Sequence, residues 1–153
     1  AQALNSWDAA NQKSKGQKTQ TESMLSVPRE LPALMRAQKI QHKAAKIGFD
    51  WDNADGAFEK LYEEINELKT AMEHGSKAEI DDELGDVLFS CVNISRFVGA
   101  DSEEALTAST DKFLSRFALV EQMAKEQGID MKSSSIQQLD ELWDKAKKIK
   151  NAE

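Results

Sequence analysis

The amino-acid sequence predicts an all-α fold, and three observations support this prediction. The 153 residues include only two prolines and seven glycines, so helix-breaking residues are few. Apolar residues recur at helical spacing over long stretches, whereas no stretch alternates apolar and polar residues as a half-buried strand does. Beyond residue 28, glycines separate the helical stretches, as is expected at helix ends. These glycines are Gly48, Gly75, Gly99 and Gly128.

Five helices are predicted from start signals and apolar patterns. The first begins beside Pro32, because proline is tolerated in a first helical turn. The second carries one apolar face, and the third is apolar around nearly its whole circumference, which favours a position inside a bundle or an interface. The fourth and fifth begin with capping-box patterns, Asp101 with Glu104 and Ser135 with Gln138. The first three are expected over about 31–47, 57–74 and 79–98, and the last two start at 101 and 135.

The N-terminal stretch, residues 1–27, differs from the rest in composition. It is rich in Gln, Lys, Ser, Thr and Asn, and its apolar residues are too sparse to form a core face. We therefore expect a tail or linker with little fixed structure, in which Trp7 packs against the main body. Residues 28–153 are expected to form one domain, because this length suits a single modest core.

Net charge and cysteine content exclude several classes of protein. The formal charge of −7 argues against a nucleic-acid scaffold, because no broad basic surface is available. The single cysteine, Cys91, excludes an internal disulfide, fits the reducing cytoplasm and is expected to be a core thiol. No apolar run approaches membrane-spanning length. We therefore expect a cytoplasmic protein that binds neither nucleic acid nor membrane.

Two pairs of acidic residues stand out on the second and third predicted helices. Glu64 and Glu67 are three residues apart, and Glu83 and Asp86 have the same spacing, so each pair projects from one side of its helix. The simplest alternative is a solvated helix face, which is the better explanation for most runs of glutamate. Either pair alone would be a weak signal, whereas the two together favour a metal site.

The third helix supplies the physical reason for that preference. Glu83 and Asp86 lie on a polar stripe of an otherwise apolar helix, and the sequence has no Lys or Arg between Ile80 and Ser95. Carboxylates beside a core without a local cation need an outside partner, or their pKa values rise. A divalent cation supplies that partner, and carboxylate ligation selects magnesium, manganese or calcium over zinc. Gly85, between the two acids, is expected to allow the close approach of another helix.

Cations and tryptophans elsewhere have two interpretations each. Lys112 and Arg116 lie four residues apart on one helix face. They are either a surface pair or, beside a metal site, a grip on a polyphosphate. Trp51 and Trp143 are either core residues or stacking partners for a base, and Trp51 is expected in the core. The chain has no glycine-rich phosphate-binding loop, which argues against a P-loop enzyme.

Taken together, the motifs resemble those of the MazG family of all-α nucleoside triphosphate pyrophosphohydrolases. The motif EExxE at 63–67 precedes ExxD at 83–86 by fifteen intervening residues, and KFxxRF at 112–117 and LDELWDKAKK at 139–148 follow. The resemblance covers about residues 28–149. The junction at Pro28 also looks like the linker before the second domain of two-domain members, so the chain is interpreted as the C-terminal half of a longer protein.

The resemblance implies a function, a cofactor and a set of site residues. It implies Mg²⁺-dependent hydrolysis of nucleoside triphosphates, ATP included, to the monophosphate and pyrophosphate, with Mn²⁺ as a substitute metal, by a helical bundle that homodimerisation completes. One departure concerns Glu79, where members often carry a basic residue, so no contact is assigned there. The implied metal ligands are Glu64, Glu67, Glu83 and Asp86, the nucleotide contacts are Lys60, Lys112, Arg116 and Trp143, and the general base is Glu63 or Glu67.

Three alternatives remain open at this point. The first is a more selective dUTP or dCTP pyrophosphatase of the same superfamily. The second is a non-catalytic helical interaction module whose acids form only a polar seam. The third is a di-iron carboxylate bundle, which usually needs a Glu-x-x-His pattern, whereas this chain has Glu67 or Asp86 at the position of the histidine.

Overall fold

The computed structural model describes residues 9, 16 and 19–153, so the predicted anchor Trp7 lies outside the described residues. Residues 19–153 form six helices and no strand, which confirms the predicted all-α fold. None of these helices is long and apolar enough to cross a membrane. In chain order they are α1 (Gln20–Leu25), α2 (Ala33–Lys46), α3 (Ala54–His74), α4 (Lys77–Phe97), α5 (Ser102–Glu126) and α6 (Ile136–Asn151).

Contacts divide the chain into two compact units, Ala1–Glu103 and Glu104–Glu153. In the first unit α3 packs against α4, α2 packs against α4, and α1 packs against α2. Helix α5 begins in the first unit and continues in the second. The sequence predicted a tail, 1–27, and a catalytic domain, 28–153. Contacts alone do not test which part is catalytic, so this division stays a prediction.

Helix α1 lies inside the stretch for which the sequence predicted little fixed structure. Thr19 caps it by accepting a hydrogen bond from the backbone N–H three residues later, at 3.0 Å. Ser23 and Val27 are buried, and Lys43 Nζ on α2 donates to Ser23 Oγ at 3.0 Å. The prediction is therefore wrong for residues 19–27. One cap and two small buried residues are enough to dock a short helix, and so short a segment shows no apolar periodicity.

Side-chain caps fix where α3, α4 and α6 begin. Asn53 caps α3, and the predicted capping box of Ser135 and Gln138 opens α6. A second capping box, which the sequence did not reveal to us, opens α4: Glu79 Oε2 accepts from the Ser76 backbone N–H at 2.6 Å, and Ser76 Oγ accepts from the Glu79 N–H at 3.3 Å. Each such cap contributes about 1 kcal/mol to helix stability. The carboxylate of Glu79 thus has a structural role at the start of α4.

Helix α2 is held by the connection between α4 and α5. The proline at its N-cap makes no side-chain hydrogen bond, and instead the Met35 backbone N–H donates to Glu103 Oε2 at 3.3 Å. Gln38 donates to the Ala100 carbonyl and accepts from the Ser102 N–H, both at 2.8 Å. These bonds satisfy backbone groups that helix ends leave unpaired, and they fix α2 beside α4.

Helix α4 is less covered than its apolar pattern predicts. Leu84 and Leu88 are 46% and 51% exposed, and Cys91 is exposed on the same face, within about 60° of both on a helical projection. The prediction of a core thiol is therefore wrong. A Cβ at Gly85 would meet no atom within 4 Å, so none of the six described helices makes the expected close approach there. Periodicity predicts that a face is apolar, but it does not say whether the chain itself covers that face.

The second unit has its own small core between α5 and α6. Val120 and Ala124 on α5 pack with Leu142 and Ala146 on α6, and all four are at most 3% exposed. Partly buried side chains surround this cluster, and Trp143 is among them. The core accounts for only part of the apolar spacing on α5, where Phe113 and Phe117 are 53% and 39% exposed.

Candidate metal centre

Helices α3 and α4 bring three acidic side chains together. Glu64, Glu83 and Asp86 each offer a carboxylate oxygen, and these oxygens all lie within 4.8 Å of one another. The i, i+3 spacing of Glu83 and Asp86 sets both on the side of α4 that meets α3, where Glu64 lies. We refer to these three residues as the acid cluster. A set of hard oxygen ligands suits Mg²⁺, Mn²⁺ or Ca²⁺.

Two oxygens of the acid cluster are buried and lack a partner. Glu64 is 5% exposed, and its Oε2, like Oε2 of Glu83, makes no hydrogen bond to any described part of the chain. A buried acceptor without a partner costs about 1–3 kcal/mol, and more when it carries a charge. This cost would be relieved by a cation bound between the carboxylates, so the residues fit the metal that the sequence pattern predicts.

The pKa values of the neighbouring acids change in the direction that this burial requires. Burial raises the pKa of Glu83 and of Asp86, and the negative charge of Glu64 raises both further. The pKa of Glu67 is raised chiefly by its side-chain hydrogen bond with Glu64. Raised values mean that the ionised carboxylates are disfavoured where they stand. A bound cation would oppose all three shifts.

Lys60 binds the acid cluster from one side. Its Nζ lies 2.5 Å from Oε1 of Glu64 and 3.4 Å from Oε2 of Glu63. The hydrogen bond to Glu64 is the main reason why the pKa of Lys60 is raised. The resemblance implies that Lys60 contacts the nucleotide, and this role stays a prediction. In this structure the ammonium group partners one oxygen of Glu64 and leaves the other without a partner.

The two candidate general bases differ in their surroundings. Glu63 has a side chain that is 57% exposed and pairs with Lys60. Glu67 lies outside the described set of three close ligands, but its interaction with Glu64 raises its pKa. An open cavity of about 510 Å³ adjoins them and is lined in part by Glu63, Glu67 and Glu83. The cavity gives a substrate room to reach the acids.

The remaining predicted contacts belong to the second unit. Lys112 is exposed on α5, and Arg116 donates from Nη2 to Asn151 Oδ1 at 3.4 Å, while its buried Nε has no partner among the described residues. The Trp143 ring lies 5.3 Å from that of Phe113, centroid to centroid. The structure therefore leaves a donor on Arg116 available, and the nucleotide roles of Lys112, Arg116 and Trp143 stay predictions.

One charged pair on α4 was not found from the sequence. Arg96 donates to Asp50 through Nη2 at 2.7 Å and through Nη1 at 3.1 Å, and it also donates to Asn93 Oδ1. The pair lowers the pKa of Asp50, chiefly through this hydrogen bonding. The partners are 46 residues apart, and only the unusual run Phe49-Asp50-Trp51 in a connecting loop hinted at them.

A second cavity, of about 360 Å³, lies beside this pair and is lined in part by Gln41, Phe49, Trp51 and Phe89. Trp51 is 45% exposed, so its expected place in the core is wrong. Its indole packs on the first turn of α3, against Gly56, and also lines the cavity.

Comparison with known proteins points to one family. Residues 55–120 match the family model described as the MazG nucleotide pyrophosphohydrolase domain. The chain is 35% identical over 150 residues to a nucleoside triphosphate pyrophosphohydrolase of Escherichia coli K12, which covers 97% of the chain and 57% of that protein. It is 44% identical over 117 residues to the nucleoside triphosphate pyrophosphohydrolase/pyrophosphatase MazG of Thermotoga maritima, which covers 76% of the chain and 45% of that protein. The chain thus spans about half the length of these relatives.

Proposed function

The chain belongs to the MazG nucleotide pyrophosphohydrolase family, and from this premise we propose that it hydrolyses nucleoside triphosphates, ATP included, to the monophosphate and pyrophosphate. One observation carries the proposal most strongly. The acid cluster holds three carboxylates within reach of one ion, with two buried oxygens that have no partner in the described chain. A solvated helix face would place its carboxylates in water instead.

Mg²⁺, with Mn²⁺ as a substitute, is the proposed cofactor, and Glu64, Glu83 and Asp86 would hold it together with Glu67. When bound, the ion would neutralise charge on the triphosphate oxygens and orient the attacking water. The support is chemical: the donors are all carboxylate oxygens, and burial raises the pKa of Glu83 and Asp86.

Glu67 is the better of the two candidate bases. A general base works best when its pKa approaches the working pH, and Glu64 raises the pKa of Glu67. Glu63, in contrast, is exposed and paired with Lys60. Glu63→Gln tests the choice, because Glu67 is also a proposed metal ligand and Glu67→Gln should lose activity in either role: the Glu63 variant should keep most of its activity. Equal losses would remove the distinction.

The proposed reaction breaks the bond between the α-phosphorus and the oxygen that bridges to the β-phosphorus. A water oxygen forms the new bond to the α-phosphorus, the base takes a water proton, and pyrophosphate leaves with the bond electrons. Lys112 and Arg116 would grip the outer phosphates and stabilise this leaving group, since guanidinium and ammonium groups pair well with phosphate. The unpartnered Nε of Arg116 supports such a contact.

Hydrolysis in ¹⁸O-labelled water, without added pyrophosphatase, tests the reaction. We expect the label in the nucleoside monophosphate and none in pyrophosphate. Label in orthophosphate together with accumulation of the nucleoside diphosphate would show attack at the γ-phosphorus and refute the proposal. Omitting Mg²⁺, and then supplying Mn²⁺, tests the cofactor in the same assay.

We also propose that two copies associate through the exposed apolar face of α4. Leu84, Leu88 and Cys91 share this face, and Gly85 beside it leaves room for a second helix. Burying this face would favour association by about 25 cal/mol for each Å² of apolar surface that is removed from water. Light scattering should give the mass of a dimer, and Leu88→Glu should lower it. A monomeric mass for the unmodified protein would refute the proposal.

A cytoplasmic location, suggested by the lone cysteine, also stays a proposal.

A further inference from the structure

We propose that the cavity between the end of α2, the loop after it and the C-terminal half of α4 binds the base of the nucleotide. We call it the Trp51 cavity, after the residue on its rim. This inference rests on the proposed function. It assigns a binding site to the base, which is the part of the substrate that the acid cluster does not bind. With a volume of about 360 Å³, the cavity falls in the size range of small-molecule sites, about 300–1,000 Å³.

The walls of the Trp51 cavity are aromatic and open to solvent. Phe49, Trp51 and Phe89 line it, and they are 82%, 45% and 49% exposed. Three aromatic side chains around one open cavity leave apolar surface in contact with water. A flat heteroaromatic ring covers such surface well, and stacking on an aromatic side chain strengthens base binding in nucleotide-binding proteins.

Gly56 fixes the position of the Trp51 ring. A Cβ at Gly56 would lie 2.8 Å from Cε3, 3.1 Å from Cδ2 and 3.3 Å from Cγ of that indole. The ring therefore packs directly on the first turn of α3, at a position where only glycine leaves room for it. This contact holds the indole against the helix and preorganises it as one wall of the cavity.

Gln41 supplies a hydrogen-bond acceptor. It lines the cavity, is 6% exposed, and donates from Nε2 to the Phe89 carbonyl at 2.9 Å. That bond orients the amide, and its Oε1 is buried without a partner in the described chain. A buried, oriented acceptor in a cavity wall is the group that would recognise an exocyclic amine or a ring N–H of a base.

Asn93 supplies a hydrogen-bond donor. Arg96 donates from Nε to Asn93 Oδ1 at 3.1 Å, and Asp50 holds Arg96 from the other side. With Oδ1 occupied, the amide nitrogen is the remaining hydrogen-bonding group of the Asn93 side chain. The cavity thus combines an acceptor, a donor and aromatic walls, which is the set of features that matches a nucleobase.

The position of the cavity along α4 matches the dimensions of a nucleotide. Asn93 follows Asp86 by seven residues, so the two are separated by about 10 Å of helix rise and by only about 20° around the axis. Phe89 lies between them on the same side, within about 60° of Asp86. A nucleotide whose phosphates meet the acid cluster would therefore extend its base along this face of α4 towards the Trp51 cavity.

Base binding can be observed without catalysis by ¹⁵N labelling of the three tryptophans, with each indole signal assigned by its Trp→Phe variant. Adenosine, guanosine, cytidine and uridine are titrated separately without metal. We expect at least one nucleoside to shift the Trp51 indole signal, and Gly56→Ala, which displaces the ring, to weaken that response about tenfold or more. No shift at Trp51 up to the solubility limit of all four nucleosides would overturn the proposal, as would shifts confined to Trp143.

Kinetics then separates this inference from the proposed function. With Trp51→Ala, KM for the preferred triphosphate should rise about 5- to 150-fold, while the inhibition constant of tripolyphosphate, which has no base, stays unchanged. Gln41→Leu should alter the order of preference among ATP, GTP, CTP and UTP. Leu25→Ala, which truncates an apolar side chain that is 72% exposed on α1, is the matched control and should change none of these values.

Each kinetic outcome bears on only one of the two proposals. Suppose that the unmodified protein hydrolyses triphosphates, and that Trp51→Ala and Gln41→Leu leave KM and the nucleotide preference unchanged. This result would refute the base site and leave the function intact. Absence of hydrolysis would refute the function, and the nucleoside titration would then decide the base site alone. If Gln41→Leu fails to fold, because it loses the bond to Phe89, Trp51→Ala and Gly56→Ala still test the cavity.

Discussion

The two ends of α4 carry charge in opposite ways. Near its start, Glu83 and Asp86 face Glu64, with raised pKa values and buried oxygens that no described residue partners. Near its end, Arg96 donates twice to Asp50, whose pKa is lowered. The second pair is complete within the chain, whereas the acid cluster needs an added cation. The Asp50–Arg96 pair therefore stabilises the fold, whereas the acid cluster is arranged to bind a cation. This distinction predicts different effects for substitutions at the two ends of α4.

The largest expected effect is on activity. Glu64→Gln, Glu67→Gln, Glu83→Gln and Asp86→Asn should each lower kcat/KM at least about 100-fold, because the lost charge is needed in the transition state. Helicity by circular dichroism should be unchanged, since each variant removes repulsion among the acids of the metal-free fold, which in Glu64→Gln offsets the lost ion pair with Lys60. Glu59→Gln, an exposed acid on α3 outside the cluster, is the control. Full activity in any two of the four variants would contradict the assignment of four ligands.

The second effect concerns the complete pair. Arg96→Met keeps the apolar stem but leaves Asp50 without its two charged hydrogen bonds, and should cost about 1–3 kcal/mol of unfolding free energy in urea. Glu83→Gln should cost nothing in the same assay without metal. If the two variants destabilise the protein equally, both ends of α4 are structural and the comparison fails.

A smaller effect is expected at Gly85, between the two ligands on α4. A Cβ there meets no atom within 4 Å, so Gly85→Ala should stabilise a monomer by about 0.5–1 kcal/mol through helix propensity. If a second copy packs against this glycine, the same substitution should weaken the dimer. Unfolding measured across a range of protein concentrations separates the two effects. A loss of stability that does not depend on concentration would contradict the open space seen here.

The smallest effect is the dependence of stability on pH. A carboxyl whose folded pKa is raised destabilises the folded state as pH rises through that pKa, so the metal-free acid cluster should lose stability from about pH 4.5 upward. Asp50 has a lowered pKa, and its contribution is present above its ordinary value of 3.8 and is lost as pH falls through the folded value. Glu83→Gln should reduce the dependence of the unfolding free energy on pH only above about pH 4.5. Asp50→Asn should reduce it only at lower pH. An exchange of these effects would show that the pKa directions are wrong.

The sequence predicted the features that depend on local spacing. The long helices and the two acid pairs follow from i, i+3 and i, i+4 recurrence, so their positions on α3 and α4 could be read directly. The Asp50–Arg96 pair and the Trp51 cavity depend on residues that are far apart in sequence, which periodicity does not report. The exposure of Cys91 and Trp51 was missed because apolar character does not reveal whether the same chain covers a residue.

The most direct test of the central claim, that a divalent cation completes the acid cluster, is urea unfolding during a Mg²⁺ titration. Binding to the folded state alone should raise the unfolding free energy by about 2.7 kcal/mol when Mg²⁺ is a hundredfold above its dissociation constant. The double variant Glu64→Gln/Glu83→Gln should show no rise, and Glu59→Gln should behave like the unmodified protein. An unmodified protein that does not respond to Mg²⁺, or a double variant that responds equally, would contradict the claim.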